Sequence, residues 1–123
     1  MPLAFNQLIF DRTVRGATEV FTSPEFNELL ARADDLVFEV EVSDASGTTP
    51  AITCRGWHCS SNEDLGFKAR TAFISGASLA SLPYRSVTVE SGTRIGGFYK
   101  LGIALSGSDN VARVRIWCTG RVS

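Results

Sequence analysis

The residues of this chain whose types could hold a metal ion are Cys54, His58, Cys59 and Cys118. Structural zinc sites use four thiolate or imidazole ligands arranged as a tetrahedron. The pattern of residues 51–58 predicts a strand, which would put Cys54 and His58 on one face about 13 Å apart, at ~3.3 Å per residue. That separation is too long for one ion unless the strand bends at Gly56. We therefore expect no metal site and interpret the cysteines as small buried apolar side chains. A disulfide between Cys54 and Cys59 stays open as an alternative.

His58 is the sole histidine, so a histidine-based acid, base or nucleophile relay would have to run through it. Cys59 is badly placed for such a dyad, because adjacent residues of a strand point to opposite faces. Ser78 resembles a nucleophile elbow only loosely, since no helix is predicted after it. The loop 60–64 offers oxygen ligands but lacks the spacing and glycine of an EF-hand loop. These features predict a protein that is not an enzyme, with no catalytic residue and no cofactor.

Composition and charge narrow the class of protein. The chain has 123 residues, 44% of them apolar and 20% charged, which is typical of one globular domain. Its net charge of −1 lacks the basic excess of most nucleic-acid binders, so we expect no direct contact with nucleic acid. No apolar run approaches the ~20 residues of a membrane span. The odd cysteine count leaves at least one free thiol unless chains are linked to each other, and the N-terminus lacks the pattern of a signal peptide. Both favour a reducing, intracellular setting, or a chain that has already been processed.

Strands are the main predicted elements. Alternation of apolar and polar residues predicts strands over 36–42, 51–58, 67–75, 85–90, 99–105 and 111–119, the last two forming a hairpin across the turn 107–110. One helix is predicted over 22–33, where Thr22 and Glu25 have capping-box spacing and Pro24 lies in the first turn. The pattern is typical of a mainly β fold, an antiparallel β-sandwich or jelly-roll-like barrel with one short helix. We expect residues 1–20 to form an extended arm or edge strand and residues 21–123 the sandwich domain.

Two groups of residues are candidates for contact surfaces. The N-terminal segment carries the apolar residues Leu3, Phe5, Leu8 and Phe10, and its strand edge could add to the sheet of a neighbour. The predicted strands also turn arginine and tryptophan outward, on what we expect to be one face, at Arg55, Trp57, Arg113, Arg115 and Trp117. Exposed arginine and tryptophan are enriched at protein interfaces. The alternative is that both tryptophans belong to the core of a second layer.

The closing segment also carries a family resemblance. Residues 96–107, GGFYKLGIALSG, and 111–117, VARVRIW, resemble the final hairpin of small β-sandwich virion proteins of tailed phages, of the minor-capsid and decoration type. The strand 36–42 and the following DASGTTP of residues 44–50 add to the similarity, which covers about a quarter of the chain. The resemblance implies a shell component that binds neighbouring subunits and has no active site.

These observations favour a self-assembling structural protein that coats or decorates a phage-like particle. Its expected partners are copies of itself and a capsid or other shell protein, and its expected location is a virion or a cytoplasmic assembly. Near-zero net charge fits this hypothesis, because it lowers the repulsion between copies. The alternative is a ligand-binding sandwich such as a carbohydrate-binding module, with Trp57, Trp117 and Tyr84 as its stacking platform.

Overall fold

The computed structural model describes residues 3–59, 68–69, 72–91, 98–106 and 109–122. Nine strands and one helix follow one another along these residues. They are β1 (Leu3–Arg15), β2 (Ala17–Phe21), α1 (Pro24–Arg32), β3 (Ala33–Ser46), β4 (Ala51–Cys59), β5 (Lys68–Ala69), β6 (Ile74–Ser78), β7 (Tyr84–Ser91), β8 (Phe98–Leu105) and β9 (Val111–Val122). The strands form two antiparallel sheets, which confirms the predicted fold class.

In the two sheets, strands from the first half of the chain pair with strands from the second half. The first sheet has the order β1-β9-β3-β7, and the second has β2-β8-β4-β5, with β6 also paired to β4. Successive strands from the start of the chain therefore pair with successive strands from its end. From β1 to β4, and again from β7 to β9, each strand lies in the opposite sheet to the one before it. This arrangement is that of a jelly roll, in which the two sheets bury their facing sides against each other.

The predicted hairpin of residues 99–105 and 111–119 is wrong. β8 pairs with β2 and β4 in the second sheet, whereas β9 pairs with β1 and β3 in the first. The connection between them crosses from one sheet to the other, and at its end the buried side chain of Asn110 donates a hydrogen bond to the carbonyl oxygen of Ser106. Both strands alternate because both bury one face, so their apolar sides meet across the core instead of lying side by side.

The helix is confirmed, but its predicted cap is wrong. Ser23 is the N-cap, and its hydroxyl accepts a hydrogen bond of 3.2 Å from the backbone N–H of Phe26. The hydroxyl of Thr22 donates to the carbonyl oxygen of Tyr99 at 3.1 Å and so ties the helix entrance to β8. The helix ends at Arg32, and β3 begins at once at Ala33, so the helix forms a short bridge between the two sheets.

The strand predicted over residues 67–75 is divided in the structure. Within the described residues this region holds the short β5 and then β6, which continues to Ser78. A bend at Phe73 precedes β6. The ring of Phe73 turns inward there and stacks on Phe38 at 4.7 Å between centroids, while Phe38 also stacks on Tyr99 at 5.6 Å. Phe73 and Ile74 are both buried, whereas successive side chains of a regular strand point to opposite faces, so the segment departs from a single regular strand here.

The core lies between the two sheets, and the inward residues of four strands supply most of it. β3 contributes Leu36, Phe38, Val40 and Val42, β9 contributes Ala112, Val114, Ile116 and Cys118, β8 contributes Tyr99, Leu101, Ile103 and Leu105, and β4 contributes Ile52 and Cys54. All of these side chains are buried. The outward residues of the same strands therefore form the two outer faces of the molecule.

Candidate interaction surfaces

The predicted arginine and tryptophan residues lie on two outer faces instead of one. Arg55 and Trp57 project from β4 on the outer side of the second sheet, since their neighbours Cys54 and Gly56 are buried. The other three project from β9 on the outer side of the first sheet; they are Arg113, Arg115 and Trp117. Because the core separates the two sheets, the prediction of a single arginine–tryptophan face is wrong.

The apolar residues near the N-terminus have different environments. β1 pairs with β9 along its whole length, and a β-bulge between Leu8 and Phe10 changes which residues face the core. Phe10 is buried, and Phe5 packs edge-to-face on Phe26 at 6.4 Å, so neither is an exposed contact residue. Leu8 is 48% exposed and lies beside Trp117 on the outer face. The side chain of Leu3 lies outside the described residues.

The outer face of the first sheet carries an apolar patch, of which the sequence predicts only Leu8 and Trp117. One row across the four strands consists of Leu8, Trp117, Glu39 and Val87, and the next of Asn6, Thr119, Val37 and Val89. Val87 and Val89 are 61% and 64% exposed, more than Leu8. The sequence predicts the strand over 85–90, and alternation within this strand places Val87 and Val89 on the same face. Only the pairing of β7 with β3 shows that this face is the outer face of the first sheet.

Charged residues surround this apolar patch. The adjacent row consists of Asp11, Arg115, Glu41 and Arg85, so its charges alternate from strand to strand. Arg85 forms ion pairs with Glu39 at 3.0 Å and with Glu41 at 2.5 Å. Asp11 pairs with both Arg113 and Arg115. Such exposed pairs contribute little stability each.

The outer face of the second sheet has a groove of about 270 Å³ beside Trp57. Across the strand pair, the indole of Trp57 lies directly over Gly102, where any Cβ atom would overlap it. The ammonium group of Lys100 sits 5.2 Å from the indole ring, within the range of a cation–π interaction. Trp57 is therefore half-buried by its own sheet and offers only part of its ring to a ligand.

A second groove, of about 430 Å³, runs between β1 and β2 where the two sheets separate. It passes the bulge in β1 and ends near the start of the helix, and its lining includes Ile9, Phe10, Val20, Phe21 and Phe26. Phe21 is 54% exposed at its rim. Arg12 covers another part of the rim, with its guanidinium 5.8 Å from the ring of Phe10.

Of the four residues considered as metal ligands in the sequence, the structure describes the side chains of Cys54 and Cys118. Cys54 and Cys118 are free thiols buried on opposite sheets, and β4 runs from Ala51 to Cys59 as one strand. Because the thiol of Cys54 is free, the alternative of a disulfide between Cys54 and Cys59 is wrong. Among the described residues, no three histidine, cysteine or acidic side chains are placed to hold a metal ion. The side chains of His58 and Cys59, and the loop 60–64, lie outside the described residues.

Burial also determines the protonation state of the two described thiols. Desolvation raises the pKa of Cys54 to about 12 and that of Cys118 to about 12. A thiolate is the nucleophilic form of cysteine, so neither residue is reactive at neutral pH.

In the described part of the chain, no helix has the length and apolar character needed to cross a membrane.

The fold and surfaces together define a small jelly-roll sandwich, an architecture that occurs in viral capsid domains, lectin domains and cupins. No protein-family model matches the sequence, and no curated protein matches it. Among solved structures, the fold is similar to the crystal structure of the infectious bursal disease virus VP2 subviral particle, with a TM-score of 0.56 and 11% identity. The match covers 98% of this chain and 33% of the VP2 chain, so this chain spans about a third of that length. At such low identity the similarity is one of fold.

Proposed function

We propose that this chain is a non-enzymatic structural subunit of a virus-like particle, of the phage coat or decoration type. It assembles with copies of itself and with a shell protein. The observation that carries the proposal is the jelly roll, whose match to a capsid protein of a subviral particle extends over 98% of the chain. The phage resemblance of residues 96–107 and 111–117 agrees with this proposal as a likeness of sequence only, since the two strands lie in different sheets and form no hairpin.

The edges of the sheets support assembly as the mode of action. β7 ends the first sheet, and no strand among the described residues pairs with its outer edge. An unpaired edge is a template for another strand, and proteins that avoid such pairing usually add a bulge or charge there. β1, at the opposite edge, has a bulge. β7 pairs with β3 in an uninterrupted register and exposes Val87 and Val89, so it lacks this protection at its centre.

The proposed lack of catalysis is supported by the state of the thiols. Cys54 and Cys118 are buried and protonated at neutral pH, so these two potential nucleophiles serve as core residues. On the outer face of the first sheet, Arg85 pairs with Glu39 and Glu41, and Asp11 pairs with Arg113 and Arg115, each across neighbouring strands. Such pairs suit a contact surface better than proton transfer.

The alternative, a carbohydrate-binding module, loses its predicted platform. Trp57 belongs to the second sheet and Trp117 to the first, while Tyr84 lies opposite Val42 and packs against the core. Flat sugar rings bind to aromatic rings that share one surface. These three aromatic residues do not share one, and we therefore prefer the assembly hypothesis.

Tryptophan fluorescence separates the two functions, because the two tryptophans report on opposite faces. Variants Trp57→Phe and Trp117→Phe each leave one reporter. We expect the emission of at least one variant to shift to shorter wavelength as protein concentration rises, and neither to respond to a panel of oligosaccharides. Sugar-dependent quenching without any dependence on protein concentration would contradict the proposal and support a ligand-binding module.

A further inference from the structure

The outer face of the first sheet is divided by charge along its midline. The two central strands are β9 and β3. The outward charged residues of β9 are all basic, namely Arg113, Arg115 and Arg121, and those of β3 are all acidic, namely Asp35, Glu39, Glu41 and Asp44. Register places them in opposed pairs, with Arg115 beside Glu41 and Arg121 beside Asp35.

The charged residues of the two outer strands, β1 and β7, neutralise the charges of β9 and β3 only in part. Among the described side chains of this face, the β1–β9 half carries Arg15, Arg113, Arg115 and Arg121 against Asp11 alone. The β3–β7 half carries Asp35, Glu39, Glu41 and Asp44 against Arg85 alone. The ion pairs of Asp11 lie within the first half and those of Arg85 within the second. Each half therefore keeps a net charge, positive on one side and negative on the other.

A surface of this kind is complementary to itself. A two-fold axis parallel to the strands, midway between β9 and β3, exchanges the two halves. Two copies related by this axis would stack face to face with aligned strands, and the basic half of each would cover the acidic half of the other. Arg115 would then face the partner's Glu41, and Arg121 would face the partner's Asp35.

The apolar patch is also placed for this arrangement. The same axis brings Leu8 opposite the partner's Val87, at both ends of the row that contains Trp117. Four strands ~4.8 Å apart and about eight residues long give roughly 500 Å² per copy, or about 1,000 Å² in total, the lower limit for a specific interface. The area thus fits a weak dimer that several other contacts would reinforce within a particle.

We infer that the outer face of the β1-β9-β3-β7 sheet is a two-fold interface between two copies of this chain. We infer that the occupant is a second copy because a two-fold rotation about the midline places the basic half of each copy over the acidic half of the other. This inference rests on the proposed function, since it names one surface through which the copies associate.

The test exchanges charges across the midline. Glu41→Arg and Arg115→Glu are made singly and together, and dimerisation is measured by sedimentation velocity at low salt. Each single change brings two like-charged pairs together across a two-fold interface, so we expect dimerisation to weaken at least about tenfold. The double variant restores opposite charges and is expected to return to within about threefold of the wild type. Glu28→Arg, an equal charge change at an exposed position of the helix, is the matched control.

Thermal unfolding of the same variants separates association from folding, because Arg115 and Glu41 are also neighbours within one chain. Unchanged dimerisation in both single variants, or failure of the double variant to recover while its unfolding temperature is normal, would overturn this interface. Oligomers that persist in all variants would overturn the interface and leave the proposed function standing. A wild-type chain that is monomeric at every concentration and salt would overturn both.

Discussion

At the scale of single residues, two glycines show how closely the strands approach aromatic rings. On the inner side of the second sheet, Gly56 of β4 faces Tyr99 of β8, and a Cβ atom at residue 56 would overlap the phenol ring. On the outer side, Gly102 lies beneath Trp57 in the same way. The two positions differ in their surroundings, since Tyr99 is buried and Trp57 is only half-buried.

This difference predicts unequal costs for the same substitution. Gly56→Ala forces a buried ring to move within a packed core, which typically costs about 1–3 kcal/mol. Gly102→Ala displaces a ring that can swing toward solvent, so we expect a smaller loss. The free energy of unfolding in urea measures both. Equal stability of Gly56→Ala and the wild type would contradict the described packing.

The buried thiols predict sensitivity to alkali. Burial raises the pKa of Cys54 and Cys118 from an ordinary value near 9 to about 12. Between these values the unfolded chain loses protons that the folded chain retains, so the free energy of unfolding falls as pH rises from about 9 to about 12. The loss is at most about 4 kcal/mol per thiol.

Urea unfolding across this pH range compares the wild type with a variant carrying Cys54→Ala and Cys118→Ala. The wild type should lose more stability than the variant, since other groups that titrate at high pH are common to both. Parallel loss of stability in the two proteins would show that the thiols do not contribute.

At the scale of the elements, the helix is held by its first residues. Ser23 satisfies the backbone N–H of Phe26, whose side chain is buried against the core. Loss of an N-cap hydroxyl typically costs about 1 kcal/mol, whereas glycine at the same position costs a few tenths. We therefore expect Ser23→Ala to be less stable than Ser23→Gly in thermal unfolding. The reverse order would contradict the cap.

The elements were largely predictable from the sequence, and their partners were not. Alternation correctly identified the buried residues of β8 and β9, such as Leu101 and Val114, because burial of one face is a local pattern. It could not tell whether the two strands share a sheet or face each other across the core, since both arrangements bury the same residues. The strand pairing depends on contacts far apart in the chain.

The dependence of strand pairing on distant contacts also limits what the sequence predicts about the candidate surfaces. For Trp57 and Trp117 the sequence left two possibilities, an outward position and a place in the core of a second layer; both residues project from the outer faces and are half-buried. Their separation onto different sheets required the topology. Phe10 was grouped with Leu8 as a contact residue, but the bulge at residue 9 turns Phe10 into the core. No residue type in this segment indicated the bulge.

At the scale of the whole molecule, β7 is an exposed edge through which copies could associate. Replacing both Val87 and Val89 by lysine puts two charges on this strand without touching the core, since both side chains are mostly exposed. Lysine on an edge strand opposes pairing with another sheet. We expect the variant to unfold at nearly the wild-type temperature and to form smaller species in light scattering. Assembly of undiminished size would exclude this edge and this patch as contact surfaces.

If the chain works by assembling, the mass of the native protein in solution must exceed that of one chain. Size-exclusion chromatography with light scattering would be run over a wide range of protein concentration and salt, with the same samples viewed by negative-stain electron microscopy. We predict dimers and larger closed or shell-like species that grow with concentration. A single species of 13.3 kDa under every condition would contradict assembly as the mode of action.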